Sequence, residues 1–437
     1  MMSDPLPLTA ARADPRWRLP TLIAFRFSFT YLILYLFLNG NVTVLSFIPF
    51  LQGWLTAPLA ALAAGVGKHF FHLTGIAGRW HGGGSGDTAL NYVRILIIFV
   101  VAVVATPVWS VLDRRRRHYS LLSAWLRFLL RLTVGIGMLV YGFAKLVPLQ
   151  MREPTFAILN NTYGNSSPMT LLWTMIGLHP VYESVCGLAE LAGGFLLLYR
   201  RTATLGALFS GFVMTNVVLY NFFFDVPVKI YSLHLLLICI FLLLPEFGAL
   251  WRFFVGHRPA ELTGVWVPPA SRRAFRVATA VVETLILAGI SLALLLGDLH
   301  GWRVQRRSMS PTPLLGAWEV DPGAAAATRT LPVSPEGRPW AALYVDNRRE
   351  GFYRSDDSAL WRCAFDDDEA KHHLRISAAA IKAVVYDWSV PDRDHLELKR
   401  AGDDQAGTIR FHRLAAPEHY PLTERRFNWI NEWGYER

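Results

Sequence analysis

Three stretches decide how this chain is read: YGFAKLVPLQ at 141–150, YESVCGLAELAGG at 182–194 and NVVLYNFFFDVPVKIYSLH at 216–234. Their background is apolar enough for a bilayer. Yet Lys145, Glu183, Glu190, Asp225, Lys229 and His234 fall within it. Ionisable groups at such positions are costly and mark a functional or a paired site. Tyr141 and Lys145 are four apart and share a helix face. Glu183, Gly187, Glu190 and Gly194 step by four, three and four, which makes one face both acidic and small. Small residues admit a neighbouring helix closely, so this face looks into a bundle rather than at lipid. Charges that merely pair to hold helices together would give the same pattern, and that reading has equal standing.

Working outward, the 437 residues divide in two. Hydrophobic residues make up 53% of the chain but concentrate before about Leu296, in long apolar runs. Short alternating segments follow. The reading is a helical transmembrane domain over 21–299 behind a cytoplasmic segment 1–20, a linker at 300–312, and a soluble β domain over 313–437. The formal net charge of +10 does not point to nucleic acid, because the arginines sit between apolar runs. Cys186, Cys239 and Cys363 make no disulfide framework and no CxxC motif. No cleavable signal peptide follows the first apolar run.

About seven spans are expected, near 21–38, 90–112, 123–147, 180–199, 202–223, 228–244 and 275–296. The stretch 42–73, broken by Pro49, Gly53 and Pro58, reads as interfacial or re-entrant. Arg26 is expected to snorkel to the headgroups. Ser85 or Asp87 is expected to cap the helix that follows HGGGSGDT. His69 and His72 lack a third ligand nearby, so no metal site is assigned. Arg12–Arg18, Arg114–Arg117, Arg200–Arg201 and Arg252–Arg276 all fall on one side of this arrangement. That bias puts the N-terminus in the cytoplasm and the C-terminal domain outside a cytoplasmic (inner) membrane. Lys145, Glu183, Asn221, Asp225 and Lys229 then share the outer half of the bilayer. The expected site is one outer-leaflet pocket, with Lys145, Glu183, Glu190 and His234 as catalytic candidates and Tyr141, Asn221, Asp225 and Lys229 as substrate contacts.

The tail alternates in short runs: GAWEV, WAALYVDN, GFYRS, LWRCAFD, HLRIS, AVVYDWSV, HLELKR and GTIRFHRL. Turn residues separate them, which predicts an antiparallel barrel or sandwich. Asp366–Glu369 (DDDE) reads as a solvated turn. Phe427, Trp429 and Trp433 are expected to plug one end of the barrel.

LTVGIGMLVYGFAKLVP at 132–148, followed by ESVCGLAELAGGFLLLYRRTATLGAL at 183–208, resembles the DoxX-like membrane proteins. The likeness covers about 123–250. GSGDT, SPMTLLW, DVPVK and the final RFNWINE resemble a larger variant built around the same bundle. The resemblance implies a four-helix core. Because the founding members are subunits of a thiosulfate:quinone oxidoreductase, it also implies contact with a quinone. Two functions stay open. One is a redox-linked component, or an oxidoreductase subunit if an enzyme, that handles a quinone or another lipid-soluble substrate. There Lys145 or His234 would bond a carbonyl oxygen, and Glu183 or Glu190 would move the proton. The other is a non-catalytic anchor or assembly protein whose outer β domain binds a protein partner. The chain carries no Rossmann glycine pattern, haem attachment motif or iron–sulfur cysteines.

Overall fold

The computed structural model describes residues 16–38, 49–75, 85–199, 201–262, 273–308, 312–321, 339–355, 360–378, 381–403, 407–415 and 420–424. Its contacts divide the chain into two compact units, residues 1–143 with 186–292, and 144–185 with 293–437. Among the described residues, eight helices are long and apolar enough to cross a membrane.

The first unit holds α1 (Leu19–Leu38), α2 (Pro49–Phe70), α3 (Ala89–Leu112), α8 (Ala203–Phe223), α9 (Lys229–Leu243) and α10 (Phe247–Phe254). It also takes most of α4 (Ser120–Leu146) and α7 (Pro180–Leu198), and the start of α11 (Arg273–Ser308). Leu126, Leu130, Val134 and Met138 of α4 anchor its core, against Leu32 and Tyr35 of α1 and Leu235 and Ile238 of α9. Glycines set the closest approaches. A Cβ on Gly193 would stand 2.5 Å from the Ser210 hydroxyl, and one on Gly194 would stand 3.0 Å from the Gly135 carbonyl. The small face of α7 is therefore where α8 and α4 press against it.

Contacts at the ends of α1, α2 and α3 fix how these helices run against one another. Trp17 N–H donates to the Arg117 carbonyl at 3.0 Å, so α1 begins where α3 ends. Arg94 on α3 donates to the Leu38 carbonyl at 3.1 Å, so α1 ends where α3 begins. The end of α2 lies there too, since a Cβ on Gly67 would stand 3.1 Å from Leu90. By length and composition α2 also qualifies as a span, alongside the seven other candidates among the described residues.

Two sequence expectations are corrected here. Arg26 does not snorkel: it is 2% exposed. Its guanidinium donates to Tyr119 Oη (3.0 and 3.1 Å), Ser110 Oγ (3.0 Å) and the Asp113 carbonyl (2.9 Å). The 300–312 stretch is mostly not a linker, because α11 runs unbroken to Ser308. A polar, arginine-bearing helix end resembles a linker in composition alone.

The second unit carries α5 (Phe156–Leu159), α6 (Pro168–Gly177), α12 (Pro421–Glu424) and eight strands. These are β1 (Gly316–Val320), β2 (Trp340–Val345), β3 (Glu350–Ser355), β4 (Leu360–Asp368), β5 (His373–Ala378), β6 (Ile381–Asp392), β7 (His395–Arg400) and β8 (Ile409–Ala415). Each corresponds to one of the alternating runs. They pair antiparallel in sequence order, and β8 returns to β1, closing a barrel. Closure decides between the barrel and the sandwich. Trp318, Leu343, Tyr353, Phe365, Ile376, Leu398 and Phe411 fill the interior. β2 is buried on both faces because Ala157 of α5 covers Ala317, Ala342 and Tyr344 on the outside. Phe156 N–H donates to Asp346 Oδ1 at 2.7 Å and fixes α5 to the β2–β3 turn. Three of the four DDDE acids are engaged: Asp367 accepts from Thr312 Oγ1 (2.7 Å) and Trp388 Nε1 (3.1 Å), Asp368 pairs with Lys371, and Glu369 with Arg348. Phe427, Trp429, Trp433 and the RFNWINE motif lie outside the described residues.

Candidate functional site

Lys145 lies in the last turn of α4 and Glu183 in the first turn of α7. Both are buried, at 4% and 0% exposure. The chain leaving α4 has backbone N–H groups without helical partners, and Glu183 supplies one. Its Oε1 accepts from Gln150 N–H at 3.1 Å and Met151 N–H at 3.0 Å. Next to it, Ser184 Oγ donates to the Leu146 carbonyl at 3.0 Å, satisfying an end carbonyl of α4. The start of α7 thereby ties off the end of α4. Glu183 Oε2 is buried and has no hydrogen-bond partner among the described residues. The Lys145 ammonium is its electrostatic neighbour. A cavity of about 360 Å³ opens beside this junction, with walls from Leu146, Met151, Pro180, Leu299 and Trp302. Met151 both lines the cavity and donates to Glu183. Arg152 and Arg306 add positive charge to the lining, and the Arg306 guanidinium lies 4.6 Å from the centre of the Trp302 ring.

The other six predicted residues belong to the other compact unit, in three groups. Tyr141 lies with its ring 6.1 Å from Tyr231, and buried Glu190 acts electrostatically on Tyr141 and Tyr220. Asn221, Asp225 and Lys229 build the turn between α8 and α9. The Asn221 carbonyl accepts Val226 N–H at 3.0 Å, Asp225 adopts φ 53°, and Lys229 Nζ bonds Asp225 Oδ1 at 2.7 Å. His234 is locked in the core. Nδ1 lies 2.7 Å from the Ile230 carbonyl, so that nitrogen carries the proton. Nε2 then accepts from the Tyr31 hydroxyl at 2.7 Å, while Tyr35 stacks on the ring at 3.9 Å.

Asp87 caps a different helix from the one its sequence position indicates. Its two oxygens accept Lys229 N–H (2.6 Å) and Ile230 N–H (2.9 Å) at the start of α9. Thr88 caps α3 instead, accepting Asn91 N–H at 3.3 Å, and Ser85 Oγ accepts Asp87 N–H. α9 has no side-chain cap of its own, so a distant carboxylate serves. Sequence reading also missed the Arg131–Glu283 ion pair (2.6 Å), which ties α4 to α11. Each charge was visible, but the 152-residue separation gave no signal of pairing. Among the described residues, no group of three or more His, Cys, Asp or Glu side chains is placed to hold a metal.

Long apolar helices carrying buried charges, followed in the chain by a closed eight-stranded barrel, define a multi-pass membrane protein with a β domain. Its relationship is narrower. The chain is 37% identical over 113 residues to Bacillus subtilis (strain 168) "Uncharacterized protein YwoB", a match that takes in 26% of this chain and 71% of YwoB. The chain belongs to the YwoB family. No family model matches it, and no solved structure does.

Proposed function

We propose that this is a DoxX-like redox-linked component of the cytoplasmic membrane that takes a quinone, or another lipid-soluble carbonyl compound, at the Lys145–Glu183 junction. The observation that carries this reading is the buried Oε2 of Glu183, without a hydrogen-bond partner among the described residues and next to Lys145, with a cavity of about 360 Å³ sharing Met151. A buried polar atom left without a partner calls for an explanation, and an incoming group is one. The Lys145 ammonium donates to a carbonyl oxygen, and Glu183 gives up a proton as that oxygen gains negative charge and takes one back as the charge is lost. The mainly apolar walls suit a ring or a prenyl chain. Electrons come from a partner redox protein, since the sequence has no carrier motif of its own. Arg114–Arg117, at the end of the bundle where α1 begins, orient that end to the cytoplasm and the barrel outward.

The test is quinone content after gentle purification, followed by naphthoquinone titration. Wild type retains quinone, and Lys145→Ala and Glu183→Gln each lose it while remaining folded. If the two charges are only structural, Lys145→Met combined with Glu183→Gln restores stability and activity together, and a fully active double variant overturns the proposal. A reporter fused after Arg437 that is active only in the cytoplasm overturns the orientation.

A further inference from the structure

The two ends of the barrel treat their polar aromatic groups differently. At the end where β1 begins, Trp318 Nε1–H donates to the Leu314 carbonyl at 2.7 Å and Trp388 Nε1–H to Asp367 at 3.1 Å. At the other end β2 begins, β3 ends and β4 begins. There the indole N–H groups of Trp340 and Trp361 and the hydroxyl of Tyr353 are all buried without a hydrogen-bond partner among the described residues. Trp340 and Tyr353 are 2% and 0% exposed, and their rings stack at 4.5 Å. Tyr353 stands directly opposite Trp361 in the β3–β4 ladder, so both project to the inner face. Trp340 reaches that face through a β-bulge. The register shift between Trp340 and Ala342 sets Trp340 opposite buried Ser355, while Ala342 and Tyr344 face outward. Bulges commonly re-aim a side chain in this way.

Three neutral donors on adjacent strands thus converge on one end of the barrel, beside the apolar side chains of Val320 and Val384. Arg354 and Arg362 occupy the alternate, outward positions of the same strands. No cation therefore shares the inner face with the donors among the described residues of β3 and β4. An eight-stranded barrel is just wide enough to be filled by its own side chains or to hold one small ligand. We infer that this end of the barrel binds a neutral, apolar small molecule carrying a carbonyl-type oxygen, which accepts from Tyr353 and the two indoles and lies against the Trp340–Tyr353 stack. A carboxylate is the wrong match, because a buried anion needs a cation or several charge-directed donors. Burial pushes the Tyr353 hydroxyl up to about 12, so it remains a donor at neutral pH.

Photolabelling of the full chain in lipid nanodiscs with benzophenone, a neutral diaryl ketone, tests this. Diphenylmethane, of the same shape without the oxygen, serves as competitor. Label should appear in peptides containing Trp340, Tyr353 and Trp361. Diphenylmethane should compete at least about tenfold more weakly than unlabelled ketone, because the loss of a single hydrogen bond already supplies that factor. Tyr353→Phe should reduce labelling by a similar factor while leaving the melting temperature of the unliganded barrel equal or higher, since it deletes an unpartnered hydroxyl. A Tyr353→Phe barrel that melts lower overturns the inference, because the hydroxyl then has an acceptor within the chain. So does labelling of the barrel that ignores the ketone oxygen. Label confined to the membrane helices also overturns it, and leaves the Lys145–Glu183 proposal untouched.

Discussion

His234 and Glu183 are both buried ionisable groups on helices of membrane length, and the fold treats them in opposite ways. Around His234 every polar atom is matched: one nitrogen to the Ile230 carbonyl, the other to Tyr31, the ring to Tyr35. Around Glu183 one oxygen takes two backbone N–H groups and the other takes none among the described residues. The contrast separates two uses of polarity in an apolar setting. A fully bonded group specifies how helices register, and a half-bonded one leaves capacity for something not yet bound.

The largest test of that contrast removes a matched charge. Arg131→Leu removes the cation paired with Glu283 and should cost about 3–5 kcal/mol in detergent unfolding. Adding Glu283→Leu should recover most of the loss, and failure to recover would mean that Arg131 serves some partner other than Glu283. A smaller effect is expected at His234. His234→Phe keeps a ring on Tyr35 but strands the Tyr31 hydroxyl, at about 1–3 kcal/mol. Glu183→Gln should cost less, because the amide oxygen still accepts both N–H groups. Equal losses at the two sites would erase the distinction drawn between them.

The smallest effect concerns Asp346, a half-bonded acid of the barrel. Burial raises its carboxyl from 3.8 to about 7, against the pull of the Phe156 N–H. In the unfolded chain it ionises near pH 4. Its contribution to stability is thus fully present below that pH and is lost as pH rises towards and through 7. The barrel's melting temperature should fall by on the order of 5 °C between pH 5 and pH 8. Asp346→Asn should flatten that slope, and an unchanged slope would remove Asp346 as its source.

What the sequence discloses follows the range of the interactions. All eight strands are visible as alternating runs, since a two-residue period is local. Closure is not, because it rests on Trp318 meeting Arg413 across the length of the domain. Arg26 looked solvent-seeking because its partners, Ser110 and Tyr119, come more than eighty positions later. The path of α2 was read from its prolines, whereas the structure fixes it through Gly67 against Leu90. Lys145 and Glu183 stood out as charges in apolar runs, but the backbone N–H groups of Gln150 and Met151 leave no trace in composition. Asp87 was legible as a cap and assigned to the wrong helix, since any carboxylate near a helix start suggests the adjacent one.

The β1–β8 seam has a consequence for how this protein is made. A finished barrel offers no strand edge, so nothing can add to it by strand pairing and a partner must engage its loops, its outer faces or its mouth. Before Ile409–Ala415 arrives, however, β1 and β7 both lack a neighbour. Throughout synthesis of the preceding strands the domain is an open sheet with two adhesive margins. Nearly the whole tail must be delivered to one compartment before it is safe from its own copies, which makes the last strand the point at which solubility is decided.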